Sequence, residues 1–245
     1  MNLIGELLGT FILVLLGNGV VASCILSKTK AENSGWLTIV LGWGIAVTIA
    51  VYVSGIFGPA HLNPAVTIAM ASIGSLPWAQ VPGFLPWAQV PGFLLAQFAG
   101  AMLASIVLYL HFYPHWQETK DSGTILAAFS TGPALRHTAS NLLGEALGTA
   151  VLVMGILAIG PNNVSSGLGP IIVGLIVFAI GFSLGSTTGY AVNPARDLGP
   201  RIMHAILPIP NKGDSDWSYS WIPVAGPILG GVAGAILYNL LLNML

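Results

Sequence analysis

The chain has 245 residues, of which 55% are hydrophobic and only 6% charged, with a formal net charge of −1. That is too little polar material to cover a soluble globule of this length, so a polytopic membrane protein is the expected class. The absence of a basic run excludes nucleic acid and anionic surfaces as expected partners. A single cysteine, Cys24, excludes an intrachain disulfide and a cysteine-based metal site, and reads as a small packed residue.

Apolar stretches of bilayer-spanning length predict transmembrane helices over 3–26, 36–56, 93–113, 140–160, 168–184 and 221–242. With no basic flank or cleavage site before it, the first stretch is kept as a span. It opens Gly5-Glu6-Leu7-Leu8-Gly9-Thr10. The fourth opens Gly144-Glu145-Ala146-Leu147-Gly148-Thr149, so the chain reads as two repeats, approximately 1–120 and 136–245. Glu6 and Glu145 have no basic partner in their spans, and their matched positions predict scaffold carboxylates that accept hydrogen bonds from unpaired backbone. Gly5 and Gly9, Gly144 and Gly148, and Gly226, Gly230 and Gly234 recur at four-residue spacing, which predicts close helix contact.

After the second span the apolar pattern breaks at Gly58-Pro59-Ala60-His61-Leu62 and resumes with Asn63-Pro64-Ala65. After the fifth it breaks at Thr187-Thr188-Gly189-Tyr190-Ala191-Val192 and resumes with Asn193-Pro194-Ala195. Asn is a favoured N-cap and Pro a favoured first helical residue, so both tripeptides predict helix starts, over about 63–73 and 193–204. Eleven residues span roughly 16 Å against a hydrocarbon core near 30 Å, so each helix reaches only the midplane. Three full spans per repeat make the second repeat enter upside down, so the two N-termini meet at the centre. Irregular backbone at that depth requires a water-filled or protein-lined cavity, and two helix ends of roughly +0.5 charge each suit hydroxyls and repel cations. The expected fold is all-α: six transmembrane helices plus two half-helices in an inverted repeat.

Between the first half-helix and the third span, Leu-Pro-Trp-Ala-Gln-Val-Pro-Gly-Phe occurs at 76–84 and again at 85–93. The duplication is expected to lengthen a loop and leave the centre untouched. Trp36, Trp116, Trp217 and Trp221 read as interfacial belt residues, whereas Trp43 lies inside its span and reads as cavity-lining. His111 and His115 are separated by Pro114 with no third ligand in sight, so no metal site is expected; no cofactor is expected either.

The paired Asn-Pro-Ala boxes and paired Gly-Glu-x-x-Gly-Thr helix starts resemble the major intrinsic proteins, or aquaporins, over nearly the whole chain. Within them, the Asp after the Arg of the second box, here Asp197, is similar to the glycerol-facilitator branch. The resemblance implies a homotetramer in the plasma membrane with one pore per subunit. Counting from the two Asn residues, it implies a selectivity constriction of Trp43, Gly181, Tyr190 and Arg196. Water-selective relatives usually carry His at the position of Gly181, so Gly181 is expected to leave room for carbon-bearing solutes. Tyr190 stands where the glycerol branch often has Phe.

Such a set suits a polyol, which presents a carbon edge to an aromatic wall, Trp43 and Tyr190, and a hydroxyl edge to donors on Arg196. Acceptors are expected from the carbonyls of Pro59, Ala60, His61, Thr187, Thr188 and Gly189, and central donors from Asn63 and Asn193. The function expected is passive passage of small neutral solutes, glycerol and related polyols with some water, rather than enzymatic chemistry. Alternatives are a pore for undissociated lactic acid, which some bacterial glycerol-facilitator relatives pass, a water-selective pore, a secondary active transporter and a non-conducting scaffold. Lys28, Lys30, Lys120, Arg136 and Lys212 follow spans one, three and five, a bias that argues for an external N-terminus. The resemblance implies cytoplasmic termini, and its motifs are the more specific guide.

Overall fold

A computed structural model describes residues 3–74, 86–165 and 167–244, and the regular structure within them is helical throughout. In chain order the helices are α1 (Leu3–Ile25), α2 (Gly35–Gly55), α3 (Pro64–Ser72), α4 (Val90–His111), α5 (Tyr113–Glu118), α6 (Ser122–Ala127), α7 (Thr138–Ile159), α8 (Gly169–Ser183), α9 (Pro194–Ile206) and α10 (Ile222–Leu242). The first copy of the duplicated nonapeptide, 76–84, falls outside the described residues, and with it the loop-lengthening expected of it. The second copy supplies the start of α4, where Val90 and Phe93 pack against Ala71 beside α3.

Helices α1, α2, α4, α7 and α10 are long and apolar enough to cross a bilayer. The fifth expected span is shorter than 168–184: α8 has 15 residues, about 22 Å of helix at 1.5 Å per residue. It ends at Ser183 because the chain must already turn, through the 3-10 helix Gly185–Thr187, toward the break before α9. The two half-helices, 9 and 13 residues long, are both too short to span.

Two groups of long helices meet in the bundle. α1 packs on α2 and α4, α7 packs on α10 and α8, and the groups join along α2 and α8. Each half-helix crosses over: α3 lies mainly against α10, and α9 mainly against α4. The long helices turn Leu37, Leu41, Leu95, Leu110, Leu143 and Leu175 outward, as lipid contact demands of an apolar helix with no other partner.

Two features between α4 and α7 differ from the sequence expectation. The segment folds into α5 and α6, which close a second buried cluster of Leu26, Phe112, Trp116, Ile125, Phe129 and Ile209. Trp116 is therefore not an interfacial residue. Pro114 starts the short helix that turns its ring inward, where it is 1% exposed and donates Nε1–H to the Tyr109 carbonyl at 2.9 Å. Trp36, Trp217 and Trp221 remain exposed.

The row Gly226, Gly230 and Gly234 marks close helix contact, whereas a Cβ on Gly144 would meet only Thr187 and Thr188, at 3.7 Å. A Cβ on Gly230 would stand 1.9 Å from the Ala146 carbonyl oxygen, and one on Gly234 2.7 Å from the Ala150 carbonyl oxygen, so α10 and α7 touch backbone to backbone. A Cβ on Gly55 would meet nothing within 4 Å. Replacing Gly230 with Ala is expected to cost about 1–3 kcal/mol of stability through overpacking. In a thermal scan of the detergent-solubilised protein, Gly230→Ala should lower the unfolding midpoint and Gly55→Ala should not; equal midpoints would remove this account of the interface.

Candidate functional site

Both breaks are built alike. Asn63 and Asn193 are extended N-caps with φ −155°, each followed by Pro at the first helical position. The Asn63 Oδ1 accepts the Ala65 N–H at 2.9 Å, and the Asn193 Oδ1 accepts those of Ala195 and Arg196 at 3.0 and 3.2 Å. This satisfies backbone donors that a helix start leaves orphaned. The amide nitrogens then cross the centre: Asn63 Nδ2 donates to the Val192 carbonyl and Asn193 Nδ2 to the Leu62 carbonyl, each at 2.8 Å. The two Asn-Pro-Ala ends are thus tied to one another by a reciprocal pair of hydrogen bonds.

The backbone leading into each cap is strained in matching places. Ala60 and Leu62 have φ +54°, and the corresponding Tyr190 and Val192 have φ +37° and +42°. Left-handed backbone costs a non-glycine residue roughly 1–2 kcal/mol, and a carboxylate compensates on each side. Glu6 accepts from the N–H groups of His61 and Leu62 at 2.8 and 2.7 Å and from Gln97 Nε2 at 2.7 Å. Glu145 accepts from Ala191 and Val192 N–H at 3.0 and 2.8 Å and from Thr188 Oγ1 at 2.7 Å. Both carboxylates are buried and engaged by the loops.

These loops wall a cavity of about 390 Å³ whose lining includes Pro59, Ala60, His61, Asn63, Asn193, Trp43, Tyr190 and Arg196. Arg196 lays its guanidinium on the Trp43 ring, 4.2 Å from the centroid, and donates from Nη1 to Asn18 Oδ1 at 3.3 Å. The Trp43 Nε1–H and the Tyr190 hydroxyl are both buried and, among the described residues, have no hydrogen-bond partner. They are donors without an acceptor on two residues of the cavity lining.

Gly181 does not reach the cavity. A Cβ there would lie 2.6 Å from Tyr190 Cζ and 2.8 Å from its Oη, so the room that glycine provides is filled by the Tyr190 ring. Its carbonyl accepts Trp36 Nε1–H at 3.2 Å, and the Trp36 ring meets Tyr190 edge-on at 5.7 Å. Of the carbonyls expected to line the path, those of Pro59, Ala60 and His61 belong to the cavity segment. Thr187, Thr188 and Gly189 lie beyond it: the Thr187 carbonyl accepts Ala134 N–H at 2.9 Å, and Gly189, with φ +82°, packs against Thr131.

Sequence reading missed three participants. Asn18 was signalled only by being a polar residue within an apolar span. Asp197, read as a branch marker, forms a fully buried ion pair with Arg201 at 2.9 Å and accepts Thr131 N–H and Oγ1–H at 2.7 and 2.6 Å. Arg201 also donates to the carbonyls of Ser215 and Thr131, which straps the connections on either side to α9. Trp36, read as a belt residue and exposed as one, also braces Tyr190.

Two broken helices tied tip to tip inside a bundle of apolar helices, with a solute-sized cavity at the junction, define a multi-pass membrane protein of the channel class. The family model of the major intrinsic proteins matches residues 1–238, and the chain belongs to that family, whose members are channels and not enzymes. It is 58% identical over 239 residues to the glycerol uptake facilitator protein of Streptococcus pneumoniae, covering 98% of each chain. It is 56% identical over 241 residues to glycerol uptake facilitator protein 3 of Lactiplantibacillus plantarum, covering 98% of this chain and 97% of that one. The X-ray structure of the aquaglyceroporin from Plasmodium falciparum superposes with a TM-score of 0.82 at 28% identity, covering 100% of this chain and 98% of that one. The protein is accordingly a multi-pass protein of the plasma membrane.

Each oxygen of Glu145 accepts at least one backbone N–H, so a glutamine, whichever way its amide turns, must set an NH2 against a backbone donor. Glu145→Gln is expected to cost about 1–3 kcal/mol, read as a lower thermal unfolding midpoint. A midpoint unchanged from that of the parent would show that the carboxylate does not hold the loop.

Proposed function

We propose that the protein is a passive channel for glycerol and related polyols, with some water, and that it works as a homotetramer with one pore per subunit. The observation that carries this reading is that Trp43, Tyr190 and Arg196 share the cavity lining, with the Arg196 guanidinium 4.2 Å from the Trp43 ring centroid. A polyol lays its carbon edge on the rings and presents hydroxyls to Arg196, whose five N–H groups donate only. The Trp43 Nε1–H and the Tyr190 hydroxyl, closed off from solvent in this structure and without an acceptor among the described residues, add two donors for a hydroxylated solute once either ring turns toward it. The same solute is then received by the Asn63 and Asn193 amides, each keeping one N–H beyond that given to the opposite loop. Acceptors come from the carbonyls of Pro59, Ala60 and His61, and on the other side of the constriction from Thr187, Thr188 and Gly189. Arg196 and the two inward helix N-termini oppose cations and hydronium.

The inverted-repeat division, about 1–120 and 136–245, supports this mechanism, since the matched carboxylates, strained residues and caps recur once in each half. Glu6 and Glu145 hold backbone, which argues against a coupling site for active transport, and no side chain at Gly181 supplies the extra donor of a water-selective pore. The Tyr190 hydroxyl favours one second reading, undissociated lactic acid, whose hydroxyl and carboxyl together offer acceptors to it and to Arg196.

Stopped-flow light scattering on proteoliposomes over water, glycerol, urea and lactic acid, with acid solutions buffered on both sides of its carboxyl ionisation, tests this function. Glycerol flux should be saturable only weakly and indifferent to sodium and proton gradients; obligatory ion dependence, or no flux of any solute, defeats the channel. Lactic acid flux, if this second reading holds, should appear only where the neutral acid dominates. Removing a single neutral hydrogen bond is worth about two- to tenfold, so Tyr190→Phe should lower the glycerol-to-urea permeability ratio by about that factor. An unchanged ratio would take the tyrosine hydroxyl out of the path.

A further inference from the structure

We infer that Asn18, in the middle of α1, is a positioning residue that fixes the Arg196 guanidinium at the constriction and so sets solute selectivity. The inference rests on the channel reading above for its consequence, though not for its geometry. Asn18 is fully buried, and its two amide ends point to different partners: Oδ1 accepts from Arg196 Nη1 at 3.3 Å and Nδ2 donates to the Phe129 carbonyl at 2.8 Å. A guanidinium can only donate and a carbonyl can only accept, so the orientation of the amide follows from its neighbours. The position requires one planar group carrying both an acceptor and a donor. Asn supplies it, whereas Leu of similar size supplies neither and Asp supplies only the acceptor.

Arg196 needs such a partner. Its backbone is fixed by the Asn193 cap, but its side chain is long, and stacking on Trp43 restrains the plane of the guanidinium without fixing rotation within it. Among the described residues the Asn18 bond is the side chain's one hydrogen bond, and it leaves the remaining N–H groups for the solute. The link continues outward: Asn18 holds Phe129, and two residues on Thr131 is held by Asp197, the neighbour of Arg196. The segment over the constriction is therefore tied at one point to the guanidinium through Asn18 and at another to α9 directly. Asn18 couples the placement of Arg196 to the placement of that segment.

The test uses Asn18→Leu and Asn18→Asp in the full chain, with two readouts. The first is modification of arginines by methylglyoxal, quantified by peptide mass spectrometry. Arg201, buried and held by the Asp197 network, is the internal reporter of an intact fold. A hydrogen bond to a charged group is worth about tenfold to a hundredfold in an equilibrium, so Asn18→Leu should raise Arg196 modification about tenfold or more while Arg201 stays protected. Asn18→Asp, which keeps the acceptor, should leave Arg196 near its parent rate. The second is the permeability ratio of glycerol to a five-carbon polyol, which should fall about threefold or more in Asn18→Leu and recover in Asn18→Asp, a hydrogen bond's worth of discrimination.

Equal protection of Arg196 in all three proteins overturns the inference. So does a joint rise of Arg196 and Arg201, which assigns Asn18 to general folding, and so does identical behaviour of the Leu and Asp variants, which assigns it to Phe129. If the parent protein passes no glycerol while Asn18→Leu still releases Arg196 selectively, the channel reading fails and the positioning stands.

Discussion

The structure depends on a reciprocal exchange at its centre: the amide of each Asn-Pro-Ala asparagine reaches across to the backbone of the opposite loop, Asn63 to Val192 and Asn193 to Leu62. Neither half-helix is long enough to be held by the bilayer, and two helix N-termini facing each other repel through their dipoles. The crossed bonds oppose that repulsion. Because each asparagine also caps its own helix through Oδ1, one side chain fixes both the start of its helix and the distance to the other. No other residue type has an acceptor and two donors on so short a side chain.

This junction would leave backbone donors unsatisfied if the loops before it were simply extended. The buried carboxylates resolve that. Glu6 and Glu145 each gather two successive N–H groups while the residue before the pair and the second of the pair adopt left-handed conformations, and Gln97 and Thr188 complete their coordination. With the N–H groups drawn to the carboxylate, Pro59, Ala60 and His61 are left in the cavity wall. The glutamates are thus structural in the strict sense that they hold polar backbone where a membrane offers no water to do so.

Much of this was legible from the residues because its signals are local. Apolar runs located the long helices to within a few residues, and Asn-Pro located the starts of the two short ones to the residue. Trp116 was misread, and the ring that fills the space at Gly181 went unforeseen, for a common reason: both depend on what another segment places against them. The Trp116 ring is turned inward by a two-helix connection that has no apolar periodicity of its own, and the space at Gly181 is taken by a ring nine positions further along. Asn18 and Asp197 were invisible as participants because a hydrogen bond to residue 196 or residue 131 leaves no trace in their own neighbourhood of sequence.

The two halves match at the caps, carboxylates and strained loops, but not in what their half-helices carry. After its cap α3 continues with Val66, Thr67 and Ile68, whereas α9 continues with Arg196, Asp197 and, one turn on, Arg201. A buried arginine requires acceptors, and they lie on one side only: Asn18 in α1 for Arg196, and Asp197 with the carbonyls of Thr131 and Ser215 for Arg201. Those acceptors draw the connections before α7 and after α9 onto the same end of the bundle, where Trp36 and Gly181 also set the Tyr190 ring. The one guanidinium in the cavity lining therefore comes from the charged half-helix, beside Trp43 and Tyr190. Two halves that share caps, carboxylates and left-handed loop residues thereby differ in what they present to the cavity, with a guanidinium from one half-helix only.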